Sequence, residues 1–214
     1  MKKVSLNHIR TEYKSGILDE MIIHPDPFIQ FADWFEEVLN SGIGEPTAMF
    51  LATAGKDGIP SGRIVLLKGF DKRGFVFFTH HNSRKGRNIS ENPWVSITFH
   101  WKELERQLRI IGKANRVSSM ESDEYFLSRP FESQVSACIS PQSEVVTSRK
   151  FLEQKRDDFL RDIRDKQLTR PPDWGGFRVQ PILFEFWQGR EQRLHDRIQY
   201  RKVKSKWIIE RLAP

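Results

Sequence analysis

Residues 47–68 read TAMFLATAGKDGIPSGRIVLLK, and this stretch decides the class of fold. Its two apolar parts, residues 47–54 and 62–68, flank the turn sequence GKDG at residues 55–58. Segments rich in β-branched and aromatic side chains, bounded by glycine and aspartate, are typical of strands joined by a tight turn. The stretch therefore predicts a hairpin of two antiparallel strands.

Further segments rich in β-branched and aromatic side chains follow on the C-terminal side of this hairpin. The further predicted strands are residues 75–79, 95–101, 106–117, 177–187, 193–202 and 207–212. No helix between the first five strands is long enough for repeated parallel crossovers, so antiparallel pairing is favoured. The sequence predicts an α+β, mainly β fold, built on an antiparallel sheet or barrel with flanking helices.

Capping residues mark three predicted helices, and they are Asp26, Ser83 and Ser118. Each offers a side-chain oxygen to the free N–H groups of a first helical turn. A fourth helix is predicted over residues 148–165, where apolar side chains recur amid alternating charges. These helices are expected to pack around the sheet.

The N-terminal residues differ from the rest of the chain. Residues 1–23 are mixed in character, so they are interpreted as a mobile arm or lid. Residues 24–214 contain no internal repeat and no low-complexity tract, which favours a single domain. With 214 residues and 38% hydrophobic side chains, the chain can bury a sizeable core.

The composition limits the cellular compartments and the classes of binding partner that suit this protein. The single cysteine, Cys138, excludes an internal disulfide and fits a reducing, cytoplasmic setting. No apolar run reaches the roughly 20 residues that span a bilayer, so no membrane partner is expected. The net charge of +7 suits nucleic acid, an anionic surface or a phosphorylated ligand. Because the basic residues are spread rather than concentrated in one tract, nucleic acid ranks last.

Cations near strand and helix ends are candidate phosphate ligands. Arg63 and Lys68 stand at the two ends of an apolar strand, and regular alternation would turn them to opposite faces. Arg84 and Lys85 follow Ser83 at a helix N-terminus, where free N–H groups and positive charge favour an anion. The competing interpretation of each pair is a basic surface whose side chains reach into water.

A second candidate cluster lies near the C-terminus, at residues 193–197 (RLHDR). Period-two alternation predicts Arg193, His195 and Arg197 on one face of a strand. Such cations repel one another unless an anion or a ligand lies among them. The pattern therefore predicts a ligand site, whereas an isolated histidine is more often structural.

With these residues in view, the chain resembles the pyridoxine 5′-phosphate oxidase family along its length. The matching stretches are RIVLLK (63–68), SRKG (83–86), ERQ (105–107), YFLSRP (125–130), WGGF (174–177), EFWQG (185–189), RLHDR (193–197) and ERLAP (210–214). The resemblance implies an FMN-binding split β-barrel that forms a homodimer. It also implies two equivalent FMN sites at the subunit interface.

The resemblance assigns contacts residue by residue. FMN contacts fall on Arg63, Ile64, Val65, Leu66, Leu67, Lys68, Phe78, Thr79, Arg84, Lys85, Gln107, Gln142, Ser143, Trp187 and Arg197. Substrate contacts fall on Arg10, Tyr13, Lys68, Tyr125, Arg129, Ser133, Arg193 and His195. Arg193 and His195 are the implied catalytic residues, residues 10–13 are the implied cover, and no metal is implied. Phe78 stands where family members often carry tyrosine, which leaves any contact there to its backbone or to packing.

The activity implied is the oxidation of pyridoxine and pyridoxamine 5′-phosphates to pyridoxal 5′-phosphate in vitamin B6 metabolism. Dioxygen is the implied electron acceptor, with hydrogen peroxide formed and ammonia released from the amine. Two alternatives keep the fold: an oxidase of another aromatic substrate, such as a phenazine precursor, and a carrier of flavin or pyridoxal phosphate without turnover. The complete set of candidate phosphate ligands disfavours both.

Overall fold

The structure is a computed structural model that describes residues 12–14, 16–163 and 167–214. Arg10, a predicted substrate contact, lies outside the described residues. The helices are α1 (Pro27–Asn40), α2 (Arg84–Glu91), α3 (Ser119–Ser128), α4 (Phe131–Ile139) and α5 (Arg149–Ile163). The strands are β1 (Ala48–Ala54), β2 (Pro60–Leu66), β3 (Gly69–Asp71), β4 (Gly74–His80), β5 (Trp94–Trp101), β6 (Arg106–Arg116), β7 (Trp174–Gln188), β8 (Asp196–Val203) and β9 (Lys206–Arg211).

Hydrogen bonding joins the strands into one sheet. Its order is β2-β1-β5-β6-β7-β4-β3, with β8 paired to β7 and β9 paired to β8. The neighbours β1–β2, β3–β4, β4–β7, β7–β8 and β8–β9 are all antiparallel. The prediction of a mainly β fold with antiparallel strands is confirmed.

The stretch that decided the prediction forms the hairpin β1–β2. Ala48 lies opposite Leu66 in its register. At Gly62 a Cβ atom would lie 2.0 Å from Cζ of Phe50, so a larger residue would displace that ring. Because β2 ends at Leu66, strand alternation does not extend to Lys68.

Four other elements differ from the predictions, and one of them, the short strand β3, has no predicted counterpart. β7 begins at Trp174, before the predicted strand, and β8 begins at Asp196 rather than at Arg193. The helix α4 follows Pro130 and has no counterpart among the predicted helices. It buries only two side chains, so it lacks the apolar period that marks α1.

The chain forms two compact units. The first contains the described residues up to 46, together with residues 98–110 and 182–214. The second contains the described residues of 47–97 and 111–181. The strands β5, β6 and β7 contribute residues to both units.

Aromatic rings fill the core of the first unit. Asp26 caps α1, as predicted, and one face of this helix is buried. From that face Trp34 meets Phe186 edge-on, with ring centres 5.0 Å apart, and Phe31 lies 5.6 Å from Phe99. Burying each such ring contributes about 1.5–3 kcal/mol, so this core anchors the C-terminal part of β7.

The second unit has its own apolar core. Phe77 and Phe177, on the paired strands β4 and β7, stack with ring centres 5.7 Å apart. Phe126 of α3 packs with Trp174 and with Val135 of α4. These contacts attach α3 and α4 to the sheet. Within the residues that the structure describes, no helix combines the length and the apolar character required to cross a bilayer.

Candidate active site

A cavity of about 480 Å³ opens in the second unit. Cations, hydroxyls and amides line it together with apolar strand residues. The lining residues are Arg63, Ile64, Val65, Leu66, Lys68, Phe78, Thr79, Lys85, Tyr125, Arg129, Pro130, Ser133, Gln142 and Trp174. All except Pro130 and Trp174 are residues that the resemblance assigns to FMN or to the substrate.

Lys85 is the most deeply buried cation of this cavity, at 9% exposure. Its Nζ donates to Thr79 Oγ1 at 3.0 Å and to Gln142 Oε1 at 2.9 Å. Burial, and then repulsion from Arg63, lower the pKa of Lys85 to about 8. No carboxylate pairs with Lys85 among the described residues, so a bound anion would stabilise its charged form.

Arg63 brings a second charge to the cavity from β2. Its guanidinium donates to the Leu51 carbonyl at 3.0 Å, to the Thr53 hydroxyl at 2.8 Å and to the Ser61 hydroxyl at 2.7 Å. All three acceptors are neutral, and burial followed by repulsion from Arg84 lowers the pKa of Arg63. Neither Arg63 nor Arg84 forms an ion pair within the described part of the chain. Together with the buried lysine, they make a setting suited to a phosphate.

The helix α2 begins with Arg84 and Lys85, and the hydroxyl of Ser83 caps it. Ser83 is fully buried; its Oγ accepts from the Gly86 N–H at 3.3 Å and donates to the His80 carbonyl at 2.6 Å. A Cβ atom at Gly86 would lie 2.1 Å from the His81 carbonyl oxygen, so glycine is required there. The Ser83 hydroxyl is therefore engaged in the cap, and the cations are the groups left for an anion.

A second cationic group surrounds Arg129, at the C-terminal end of α3. Its Nη1 is buried and has no hydrogen-bond partner among the described residues. Its guanidinium lies over the Trp174 ring, 4.8 Å from the ring centre, and burial lowers its pKa. Tyr125, Ser133 and Lys68 line the same cavity. A buried donor without a partner, beside two hydroxyls and an amine, fits a second phosphate.

Phe78 contributes packing to this group. Its ring stacks on Tyr125 with centres 3.9 Å apart and on Trp174 with centres 5.6 Å apart. Burial raises the pKa of the Tyr125 phenol, which therefore stays protonated and able to donate. The side chain of Phe78 thus fixes two rings beside Arg129, while its contact with FMN stays a prediction.

The first unit holds a group of three rings that the resemblance assigns to substrate and FMN. Tyr13 lies edge-on to Trp187 at 5.6 Å and to His195 at 5.5 Å, and the centres of Trp187 and His195 are 4.7 Å apart. The backbone N–H of Arg190 donates to Nδ1 of His195 at 3.1 Å. In the neutral ring the proton is therefore on Nε2, which makes that nitrogen a donor.

The prediction that Arg193, His195 and Arg197 share one face of a strand is wrong. Arg193 lies in a 3₁₀ turn with a φ of 61°, and Gln192 before it has a φ of 55°. Positive φ is uncommon outside glycine and requires a tight local turn. Because β8 begins only at Asp196, the first two of the three residues lie in a loop.

Arg197 has a carboxylate partner that the sequence analysis did not predict. Its Nε and Nη2 donate to Oε1 of Glu185 at 2.9 and 2.7 Å, and its Nη1 donates to the Ala213 carbonyl at 2.7 Å. Glu185 is 3% exposed and also pairs with Arg109. A buried carboxylate held by two cations neutralises this part of the cluster. The predicted repulsion therefore does not arise at Arg197.

The remaining predicted FMN contacts fall in several places. Leu67, Arg84 and Ser143 belong to the second unit but do not line its cavity. Gln107 belongs to the first unit, on β6. The predicted contacts are thus divided between the two units, and their joint role is a prediction.

Three residues that shape these groups were missed from sequence: Trp174, Glu185 and Arg190. A signal existed for Glu185, which is a single carboxylate in the apolar run FEFW of β7. Trp174 belongs to the matched stretch WGGF, but its position under a guanidinium depends on tertiary packing. The contact of Arg190 is made by its backbone, so no side-chain pattern predicts it.

Family models match most of the chain. The model described as pyridoxamine 5′-phosphate oxidase matches residues 35–159. The chain belongs to the pyridoxamine 5′-phosphate oxidase family. A second model, the pyridoxine 5′-phosphate oxidase C-terminal dimerisation region, matches residues 174–214 and supports a homodimer. The predicted membership of this family is confirmed.

Similar proteins extend over nearly the full length of the chain. The pyridoxine/pyridoxamine 5′-phosphate oxidase of Rubrobacter xylanophilus is 52% identical over 206 residues, which cover 96% of this chain and 95% of that protein. The protein of the same name from a Nostoc species is 49% identical over 207 residues, covering 96% and 97%.

Solved structures confirm the fold of this member of the pyridoxamine 5′-phosphate oxidase family. PhzG from Burkholderia lata, solved with tetrahydrophenazine-1-carboxylic acid, superposes with a TM-score of 0.87 at 30% identity, covering 92% of this chain and 98% of that one. A related FMN-binding protein from Nostoc punctiforme has a TM-score of 0.69 at 16% identity, covering 90% and 100%. The predicted split-barrel fold with flanking helices is therefore confirmed.

Proposed function

We propose that this chain oxidises pyridoxine and pyridoxamine 5′-phosphates to pyridoxal 5′-phosphate, with FMN as cofactor and dioxygen as electron acceptor. Hydrogen peroxide is formed, and the amine also releases ammonia. The observation that carries the proposal is one cavity lined by two groups of cations that have no carboxylate partner within the described residues. FMN and the substrate each bring one phosphate, so the two groups correspond to the two ligands. The names of the relatives agree with this activity.

The first group fits the phosphate of FMN. Arg63 and Lys85 supply the positive charge in the cavity, and Arg84 adds a charge from outside its lining. Thr79 and Gln142 hold the lysine amine in place. Bound there, FMN supplies the two-electron acceptor chemistry of the reaction. Lys85 contributes to retention, because a bound phosphate would compensate the burial of its charge.

The second group fits the phosphate of the substrate. Arg129 offers its partnerless Nη1, and Lys68 offers a second charge. The hydroxyls of Tyr125 and Ser133 add two donors, which suits the several oxygens of a phosphate. The substrate is thereby fixed by the end of the molecule that does not react, which positions the reacting carbon.

Arg193 and His195 act at the reacting end. With Nδ1 of His195 engaged by the Arg190 N–H, the Nε2–H donates to the oxygen or nitrogen on the 4′ carbon. Arg193 adds a charge that orients the same substituent. Tyr13, packed on the imidazole, covers this loop and restricts its contact with water.

The FMN sites are proposed to lie at the subunit interface of the homodimer. The division of predicted FMN contacts between two compact units is compatible with a site completed by a second chain. Analytical ultracentrifugation of FMN-loaded protein tests this, since a monomer that retains FMN at low concentration would contradict it.

With one cysteine and so no internal disulfide, the chain is assigned to the reducing cytoplasm.

Anaerobic mixing tests the activity directly. Pyridoxine or pyridoxamine 5′-phosphate should bleach the oxidised-flavin absorption band, and admitted dioxygen should restore it. The likeness to PhzG makes an aromatic phenazine precursor the competing substrate. Bleaching by that compound but by neither phosphate would overturn the proposal, and bleaching by none would indicate a carrier.

A further inference from the structure

The orientation of α3 decides where two proposed phosphate ligands point, because the helix carries Tyr125 and Arg129 is its C-cap. It buries only Ser122 and Phe126. The Gly176 N–H donates to Ser122 Oγ at 3.2 Å, which ties the same side of the helix to β7. Stacking of Tyr125 on Phe78 and the ion pair of Asp123 with Arg170, at 2.6 Å, hold later parts of the helix. A contact at the first turn would complete the set that fixes its rotation about its own axis.

Arg178 of β7 supplies a contact on the neighbouring side of α3. Its Nη2 donates to Glu121 Oε1 at 2.6 Å, and its Nη1 donates to Asp71 Oδ1 at 3.2 Å. The Arg178 side chain is only 11% exposed, so these ion pairs are better shielded than surface pairs. Glu121 lies four residues before Tyr125, on the same helix face. Both line a cavity of about 280 Å³ that Lys68 also borders.

We propose that Arg178, acting through Glu121, is a positioning residue that sets the rotation of α3 and thereby aims Tyr125 and Arg129 at the substrate phosphate. The inference rests on the proposed function, which assigns those two side chains to that phosphate. Because two carboxylates engage its guanidinium, Arg178 acts through the helix and not by contact with the substrate.

The same ion-pair network contains a matched control. Arg73 also pairs with Asp71, through Nε at 2.8 Å and Nη2 at 2.6 Å, but makes no ion pair with Glu121 among the described residues. Changing Arg73→Gln removes a charge from the network and leaves the link between β7 and α3 intact. Arg178→Gln removes the same charge and breaks that link.

Steady-state kinetics of FMN-loaded protein with pyridoxine 5′-phosphate test the proposal. Arg178→Gln and Glu121→Gln should each raise KM about three- to tenfold and leave kcat within about twofold, because substrate binding changes and the reacting end does not. The double variant should be no worse than Arg178→Gln, since both changes break one contact. Arg178→Lys should recover part of the loss, and Arg73→Gln should match the parent. Calorimetric titration with pyridoxal 5′-phosphate should show the same weakening without turnover.

The outcomes separate this inference from the proposed function. If Arg129→Ala raises KM while Arg178→Gln and Glu121→Gln leave KM and calorimetric affinity unchanged, the positioning role is wrong and the function stands. An equal effect of Arg73→Gln would also overturn it. If Arg129→Ala has no effect, the phosphate site itself is misassigned and the inference fails with it. Should Arg178→Gln not fold, Glu121→Gln decides, because it alters one partly exposed side chain.

Discussion

The cations that line the cavity of the second unit and those on the C-terminal strands of the first unit differ in what surrounds them. In the second unit, Arg63 and Lys85 bond to neutral groups, and Arg129 has a buried nitrogen without a partner among the described residues. In the first unit, Arg197 and Arg211 are each held by carboxylates. Removing one partner of a buried ion pair leaves an uncompensated charge and destabilises the fold, whereas a buried cation without such a partner is compensated only when an anion binds. Missing partners, rather than charge alone, therefore distinguish the candidate ligand site.

The largest change in kcat is expected for variants of Arg193 and His195, in the first unit. Arg193 has no carboxylate partner in the described part of the chain, and it shares a loop with His195. Arg193→Ala or His195→Ala should lower kcat about ten- to ten-thousandfold if the two residues, as proposed, assist proton transfer at the reacting carbon. FMN content, measured by absorbance, should stay that of the parent. Unchanged kcat and KM in both variants would remove this loop from the active site.

Unfolding of FMN-free protein tests the comparison most directly. Arg197→Met leaves the buried Glu185 with one cation, so the free energy of unfolding should fall by about 2–4 kcal/mol. Lys85→Met replaces an unpaired charged side chain with an apolar one of similar length, so the free energy of unfolding should stay constant or rise. Urea denaturation measures both. Equal losses would show that pairing does not distinguish the two regions.

Ligand binding should separate the two groups within the cavity. Lys85→Met should weaken FMN about 10- to 100-fold, as expected for losing a charge-assisted hydrogen bond, and excess FMN should restore activity. Arg129→Met should retain FMN and raise KM for the phosphorylated substrate by a similar factor. Flavin fluorescence titration and initial rates provide the measurements. Loss of FMN in the Arg129 variant would merge the two groups into one site.

The smallest effect is a dependence of FMN affinity on pH. Burial lowers the pKa of Lys85 to about 8 in the FMN-free protein, and the proposed FMN phosphate would bind the charged amine. Affinity should therefore be highest below about pH 8 and fall above it, by at most about tenfold per pH unit. Lys85→Arg keeps its charge and should flatten the alkaline decline. A profile that is flat in the parent would assign the phosphate to other cations.

Most of the fold was predictable because its signals are local. The hairpin of residues 47–68 is marked by its turn and its apolar alternation, and Asp26, Ser83 and Ser118 cap helices as predicted. α4 was not predictable in this way, since it buries only two side chains and is held by neighbours distant in sequence.

The candidate site was predictable in its members but not in their partners. Charge and spacing pointed to Arg63, Lys85 and Arg193, and the resemblance added Tyr125 and Arg129. Pairing depends on which side chains the sheet brings together, so period-two alternation placed the loop of Arg193 on a strand. For the same reason, the lone carboxylate in the apolar run of β7 did not reveal that its partner would be Arg197.

The ring of Trp174 beneath the Arg129 guanidinium gives the protein an internal optical reporter. An indole responds to the electric field around it, and a phosphate bound at Arg129 would offset the positive charge nearest to the ring. The emission wavelength of this one tryptophan should therefore shift as the substrate site fills. The chain has six tryptophans, so a variant in which the other five are phenylalanine would isolate the signal. Occupancy of that site would then be followed in real time without a label or a coupled assay.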